Sequence, residues 1–414
     1  MERYLLGFVS SNFTAILRVV KTKLVIFGIT GDLSRRKLLP ALKAIIKSGG
    51  FEDLSIIGVS RREVDVHQLV SDATGSTELA SLTTVFTMDL ATAGDYVRLR
   101  TYLDPQEDEQ ILIYLSVPPS AAADIVDFLG MAKLNTPHVK LLFEKPFGFD
   151  LESAQDFIAR TGRYFEEAQL YRIDHYMAKE VAAEVIGLRS KAESIEHHWG
   201  NTSVASVDII ASETIGIEDR AMFYEETGAL RDFIQGHLMQ LLSLVLMDLK
   251  GPFTVIDLAS RRFKALEQVA VADPQLALHA QYKGYQDEVN NTGSLTETFA
   301  SVALTSTDEH WKGVPLRLTT GKNLDKKQSA IIIRYRDGTE DIFEEGAIPA
   351  INQKLPDAYE RVLVEAIRGR KYIFTTSSEI IRSWEILTPL LRSWEMDNQP
   401  LKQYEPGSTV KELL

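Results

Sequence analysis

Between residues 23 and about 179, short apolar runs alternate with segments of helical periodicity, and few folds accept that arrangement. The run KLVIF at 23–27 is stopped by Gly28, and comparable runs occupy 55–59, 84–88, 111–115, 139–143 and 169–173. Apolar runs this short, without polar alternation, suit strands covered on both faces. Helical patterns at 37–46 and 121–131 lie between them. Strand–helix alternation predicts an α/β, Rossmann-type, doubly wound parallel sheet, with ligands at the carboxyl ends of its strands.

The pattern changes near Val181. Apolar or alternating runs at 203–212 and 331–335 stand among longer helical segments at 228–248, 357–368 and 378–395. This predicts a C-terminal α+β domain with a mostly antiparallel sheet. A chain of 414 residues exceeds one ordinary domain, so the expected division is an extension at 1–22, a Rossmann-type unit at 23–180 and an α+β unit at 181–414. No Gly/Ser linker separates the halves, which favours a site between them.

Composition removes several function classes. There are no cysteines, so disulfides, thiolate metal sites and thiol nucleophiles are excluded, and no metal is expected. Against 58 acidic residues stand 45 basic ones, for a net charge of −13, which argues against nucleic-acid binding. An anionic ligand therefore needs a local cluster of cations. No apolar run approaches the roughly 20 residues that span a bilayer. The mildly hydrophobic start is broken by Ser10, Ser11, Asn12 and Thr14 and lacks a small-residue cleavage pattern, so it reads as an extension. A cytoplasmic location follows by default.

The chemistry-bearing residues gather where the fold predicts. After the first run come Gly28, Thr30, Gly31, Asp32, Leu33 and Ser34, opening a helix whose free N–H groups suit a pyrophosphate, although an ordinary strand–turn–helix junction explains the spacing equally well. The second run ends at Arg61-Arg62, where a 2′-phosphate would be accommodated or where the arginine is merely solvated. The fourth leads through Tyr114 to Pro118-Pro119, and the fifth to Lys145-Pro146, with Pro146 a candidate for a cis bond. Lys145 is either a ligand for nicotinamide and substrate or a plain strand-end lysine. The sixth delivers Asp174, His175, Tyr176 and Lys179; on a helix starting near His175, that residue and Lys179 would share a face and grip a phosphate. In the second half, Ile234, His237, Leu238 and Leu241 follow helical spacing, so His237 lies by the buried stripe. It is a satisfied core histidine or, with a carboxylate partner, a general base.

Taken in order, these segments resemble the glucose-6-phosphate dehydrogenase family. The marks are GITGDLSRRKLLPAL from Gly28, SRR from Ser60, YLSVPP from Tyr114, EKPFG from Glu144 and RIDHYMAKE from Arg172. Further along stand GALRDFIQGHLMQ from Gly228, ETFA from Glu297, GVPLRLTTGKNL from Gly313 and PDAYERVL from Pro356. The resemblance implies oxidation of glucose 6-phosphate to 6-phospho-glucono-1,5-lactone with reduction of NADP, the first step of the oxidative pentose phosphate pathway. It assigns His237 as the base and Asp174 as its support. His175, Tyr176 and Lys179 would bind the phosphate. Lys145, Glu213, Asp232, Lys322 and Lys327 would complete the substrate set. Gly28, Thr30, Gly31, Asp32, Leu33, Ser34, Arg61, Tyr114 and Lys145 would line the cofactor site. A homodimer or higher homo-oligomer is implied too.

The chain departs from the family pattern at a few places. Gly236 stands where the family usually has Asn, Met177-Ala178 replace Leu-Gly, Thr319 replaces Arg, and Lys327 replaces a common Arg. The chain is shorter around 281–285 and between 335 and 356. A different sugar oxidoreductase would account for EKPFG but not for RIDHYMAKE. A non-catalytic NADPH- or sugar-phosphate-binding paralogue would more simply have lost Asp174 or His237.

Overall fold

The computed structural model describes residues 21–49, 51, 53–190, 199–249, 254–346, 356–397 and 399–414. The expected extension falls outside them except for Lys21 and Thr22, which already belong to the first strand.

Six strands follow the alternating runs: β1 (Lys21–Phe27), β2 (Leu54–Ser60), β3 (Thr83–Thr87), β4 (Glu109–Leu115), β5 (Val139–Glu144) and β6 (Leu170–Ile173). In β1, Leu24 to Phe27 are wholly buried, as expected of strands covered by helices on both faces. These strands pair in parallel in the spatial order β6-β5-β4-β1-β2-β3. Chain direction across the sheet reverses between β1 and β4, and a crevice opens at the carboxyl side of such a switch point.

The second half builds an eight-stranded sheet among the described residues. Its strands are β7 (Val204–Ser212), β8 (Val269–Val271), β9 (Leu278–Tyr282), β10 (Phe299–Ser306), β11 (Leu316–Gly321), β12 (Gln328–Tyr335), β13 (Glu340–Glu344) and β15 (Lys402–Tyr404). Only the β7–β11 and β15–β9 pairings are parallel, so the sheet is mostly antiparallel, as expected. The remaining strand, β14 (Phe374–Thr375), leaves this half and pairs antiparallel with β6 at the edge of the first sheet. Arg262, wholly buried, holds the returning segment by donating to the Tyr372 and Phe374 carbonyls and to Glu379.

Between the sheets runs a helix that begins as a widened π-helical stretch, Leu230–Leu238, and continues as Met239–Leu246. Every residue of the second part is buried. Its start is set by two residues far apart in sequence. Gly228 sits at φ 63° and ψ 179°, a region open in practice only to glycine. A Cβ there would lie 2.5 Å from a carboxylate oxygen of Glu297. That same carboxylate accepts from the Leu230 amide at 2.8 Å, so the acid caps the helix where glycine makes room. Burial pushes the Glu297 carboxyl up to about 7. Gly228→Ala should therefore combine backbone strain with a clash, costing about 1–3 kcal/mol. Denaturant unfolding checks this; a variant as stable as the parent would show that Glu297 moves aside freely.

Candidate active site

At the carboxyl end of β1 the chain turns through Gly28 (φ 79°), whose added Cβ would lie 2.2 Å from the Ser116 carbonyl oxygen. Only glycine passes between the ends of β1 and β4 here. The Gly31 amide donates to the Gly28 carbonyl at 2.9 Å and the Arg35 amide to the Gly31 carbonyl at 3.1 Å, which starts the helix. Thr30 and Asp32 are exposed and Leu33 half-buried at this N-terminus, where free amides and the helix dipole favour an anion. Arg61 and Arg62 are exposed just past β2, and Arg36 pairs with Asp32 at 3.6 Å.

Two other residues expected at the cofactor site are buried. Ser34 is wholly buried, donates to the Gly28 carbonyl at 2.9 Å and lies 3.3 Å from the Ser116 hydroxyl, which braces the turn. Tyr114 is also wholly buried, and its hydroxyl donates to Glu144.

The second half of the site grows from Asp174, directly after β6. Its Oδ1 accepts from the Tyr176 amide at 3.0 Å and lies 2.5 Å from Nδ1 of His237. Both residues are buried. Burial alone would raise the Asp174 carboxyl, but the His237 ring, the hydrogen bond to it, Lys145 and His175 outweigh that and hold it below the usual carboxylate range. An ionised carboxylate only accepts, so Nδ1 carries the proton and Nε2 keeps its lone pair. Burial lowers the His237 imidazole, partly offset by Asp174. Tyr176 stacks on His237 at 4.4 Å between ring centres, while Phe233 meets it edge-on at 5.6 Å.

The expected helical face joining His175 to Lys179 is absent. Asp174 caps a single 3₁₀ turn, His175–Ala178, and Lys179 leaves it extended at ψ 166° before a new helix, Glu180–Arg189. Lys179 reaches the site by another route: its Nζ lies 3.8 Å over the Tyr176 ring and pairs with Glu345 at 2.9 Å. His175 packs edge-on against His237 at 4.7 Å and stacks with Tyr359 at 6.5 Å. Burial and the neighbouring cations push its imidazole well down.

Lys145 follows β5 through a cis Lys145–Pro146 bond, and its Nζ donates to the Asp232 carbonyl at 2.9 Å. A Cβ on residue 236 would stand 2.6 Å from that ammonium, so Gly236 opens the space the lysine fills. This gives the departure at 236 a physical meaning. Burial lowers the Lys145 ammonium against the pull of Asp174, Asp232 and Glu144, and it raises the Glu144 carboxyl to about 7.

At the matching end of the second sheet, Gly321 and Ser212 are register partners, which delivers Lys322 and Glu213 to one place as a direct ion pair. The Lys322 side chain is buried and lies 5.9 Å from the Phe233 ring, linking it to the His237 cluster. Asp232 is half-buried on the same helix. Lys327 is exposed one residue before Gln328, the register partner of Ser212, and so stands at this sheet end rather than in the cluster. Sequence reasoning missed Glu144, Phe233, Tyr359 and Glu345 as neighbours of the site; the first three lay inside quoted motifs, whereas Glu345 carried no signal.

Oxygen and nitrogen atoms of Asp174, His175 and His237 lie within 4.8 Å of one another, the spacing of a potential metal group. The 2.5 Å hydrogen bond spends two of those donors on each other.

Residues 25–183 match the family described as "Glucose-6-phosphate dehydrogenase, NAD binding domain", and 186–353 with 346–412 match "Glucose-6-phosphate dehydrogenase, C-terminal domain". The chain is 30% identical to a "Glucose-6-phosphate 1-dehydrogenase" of Gluconobacter oxydans (strain 621H), over 93% of each chain. Among solved structures it is similar to a "Glucose-6-phosphate dehydrogenase in complex with its substrate glucose-6-phosphate" (TM-score 0.86, 26% identity, 94% of this chain and 95% of the other). It is also similar to a glucose-6-phosphate 1-dehydrogenase from Mycobacterium avium (TM-score 0.81, 29% identity, the same coverage). No helix of the described residues is long and apolar enough to cross a membrane.

Depressed histidines bind their protons only at acid pH, so the stability they contribute is present above the ordinary imidazole range near pH 6.5 and lost as pH falls. By NMR titration His175 and His237 should both titrate below 6.5, and Asp174→Asn should lower His237 further by removing the neighbouring anion. Midpoints at or above 6.5 would contradict the burial argument.

Proposed function

Since the chain belongs to the glucose-6-phosphate dehydrogenase family, we propose that it oxidises glucose 6-phosphate to 6-phospho-glucono-1,5-lactone with NADP as hydride acceptor. The observation that carries the reading is the 2.5 Å bond between Asp174 and His237 at the carboxyl end of β6. With Nδ1–H committed to the carboxylate, Nε2 takes the proton of the sugar C1 hydroxyl as hydride leaves C1. The imidazolium so formed is stabilised by an anion already in contact with it, without reorganisation at the moment of reaction.

Lys145, beside the dyad, orients the sugar and the nicotinamide ring. Glu213 and Asp232 accept from sugar hydroxyls, and Lys322 holds Glu213 in place. Lys179, with His175 and Tyr176, binds the phosphate at the far end, and Lys327 adds charge at the sheet end.

The dinucleotide, when bound, supplies the hydride acceptor. The turn at Gly28 and Gly31, which packs too closely on the Ser116 and Gly28 carbonyls for a side chain, and the helix start after it, with its free amides, suit its pyrophosphate. Thr30, Asp32 and Leu33 border that turn. Arg61 is exposed at the tip of β2 and Glu63 follows it only after a second arginine, which favours a 2′-phosphate and hence NADP. The same reading takes the protein as a cytoplasmic homodimer or higher homo-oligomer.

Absorbance at 340 nm with glucose 6-phosphate and NADP tests the activity directly. His237→Asn should cut kcat about a thousandfold with little change in substrate binding, and Asp174→Asn should cost less. Near-normal turnover in the His237 variant would remove the base from the scheme. For the cofactor, a charge-assisted hydrogen bond of about 1.5–3 kcal/mol corresponds to roughly ten- to hundredfold preference. Arg61→Ala should erase most of that by weakening NADP while leaving NAD nearly unchanged. The ratio of kcat/KM for the two cofactors reads it, and an unchanged ratio would make Arg61 a solvated loop residue.

A further inference from the structure

We propose that Glu345 determines how tightly the site holds the sugar phosphate, by competing with it for the Lys179 ammonium. The proposal rests on the reading of Lys179 as a phosphate ligand. The two side chains are in contact at 2.9 Å, with Lys179 15% and Glu345 40% exposed. Tyr176 covers another side of the ammonium at 3.8 Å, so the lysine is held in a fixed direction.

Glu345 is carried by an anchored backbone. Its amide donates to the Ser329 carbonyl at 3.0 Å, and the next amide, of Gly346, donates to Glu180 at 3.3 Å. The carboxylate is thereby presented to Lys179 from the end of the β12–β13 hairpin, within the stretch where this chain is shorter than the family pattern. It lies in none of the quoted motifs.

A phosphate dianion approaching Lys179 meets the carboxylate as a like charge. It must share the ammonium or displace Glu345, and either course weakens binding. A free sugar brings only a hydroxyl and leaves the pair undisturbed. Glu345 thus acts on phosphorylated ligands alone and limits how strongly substrate and product are retained.

Glu345→Gln keeps the size and removes the charge. Because the pair is partly solvated, the expected effect is about three- to fivefold. KM for glucose 6-phosphate and the inhibition constant of inorganic phosphate, a competitor at the same subsite, should both fall by that factor. KM for free glucose should stay the same, and in a Lys179→Ala background the effect should vanish. Lys179→Ala by itself should raise KM for glucose 6-phosphate much more than for glucose. Equal damage to both sugars would overturn the phosphate reading of Lys179 and this proposal with it. A phosphate-selective Lys179→Ala beside a Glu345→Gln variant with unchanged KM and unchanged phosphate inhibition would overturn this proposal alone.

Discussion

A carboxylate buried without a partner costs several kcal/mol, and Asp174 has its partner in a residue from the other half of the chain. That requirement ties the carboxyl end of β6 to the helix that runs between the two sheets. The helix is fixed in turn by Gly228 and Glu297, its ring of His237 is clasped by Tyr176 and Phe233, and the gap at Gly236 admits Lys145. Each of these contacts keeps one imidazole within reach of one carboxylate. Structural and chemical demands therefore coincide at a single bond: the geometry that makes burial of the charge tolerable also leaves the proton on Nδ1 and the lone pair on Nε2.

The junction concentrates buried groups whose titrations oppose one another. Glu144 and Glu297 are raised by burial to about 7, so the stability they contribute is complete below the ordinary glutamate range near pH 4.5 and is lost as pH rises through 7. His175 and His237 are depressed, so theirs is lost in the other direction, as pH falls below 6.5. Between these limits the two sets pull against each other, and the pH response of the fold at this junction is a difference rather than a sum.

Much of the architecture was legible because apolar runs such as KLVIF admit few alternatives once helices alternate with them. The dyad was legible through helical spacing at His237 and the dense polar cluster after β6. Local detail was less so. Ser34 and Tyr114 stand in the expected stretch of sequence, but their burial and their hydrogen bonds to Gly28 and Glu144 are not encoded in one-dimensional spacing. The joining of His175 to Lys179 failed for a specific reason: an Asp side chain that takes the amide two residues on closes a tight turn where an α-helix had been expected. Glu345 was invisible, since its role depends on where a hairpin ends and not on any motif. Gly236 read as a loss of a side chain, and only the position of Lys145 shows what the missing atoms make possible.

The edge strand β14 completes the first sheet with residues that come from far down the chain. On the ribosome, β6 must therefore wait with an unpaired edge until nearly the whole polypeptide has emerged. An open edge of this kind invites pairing with other chains. The closing pair with Phe374 and Thr375, clamped by Arg262, marks the end of that exposure.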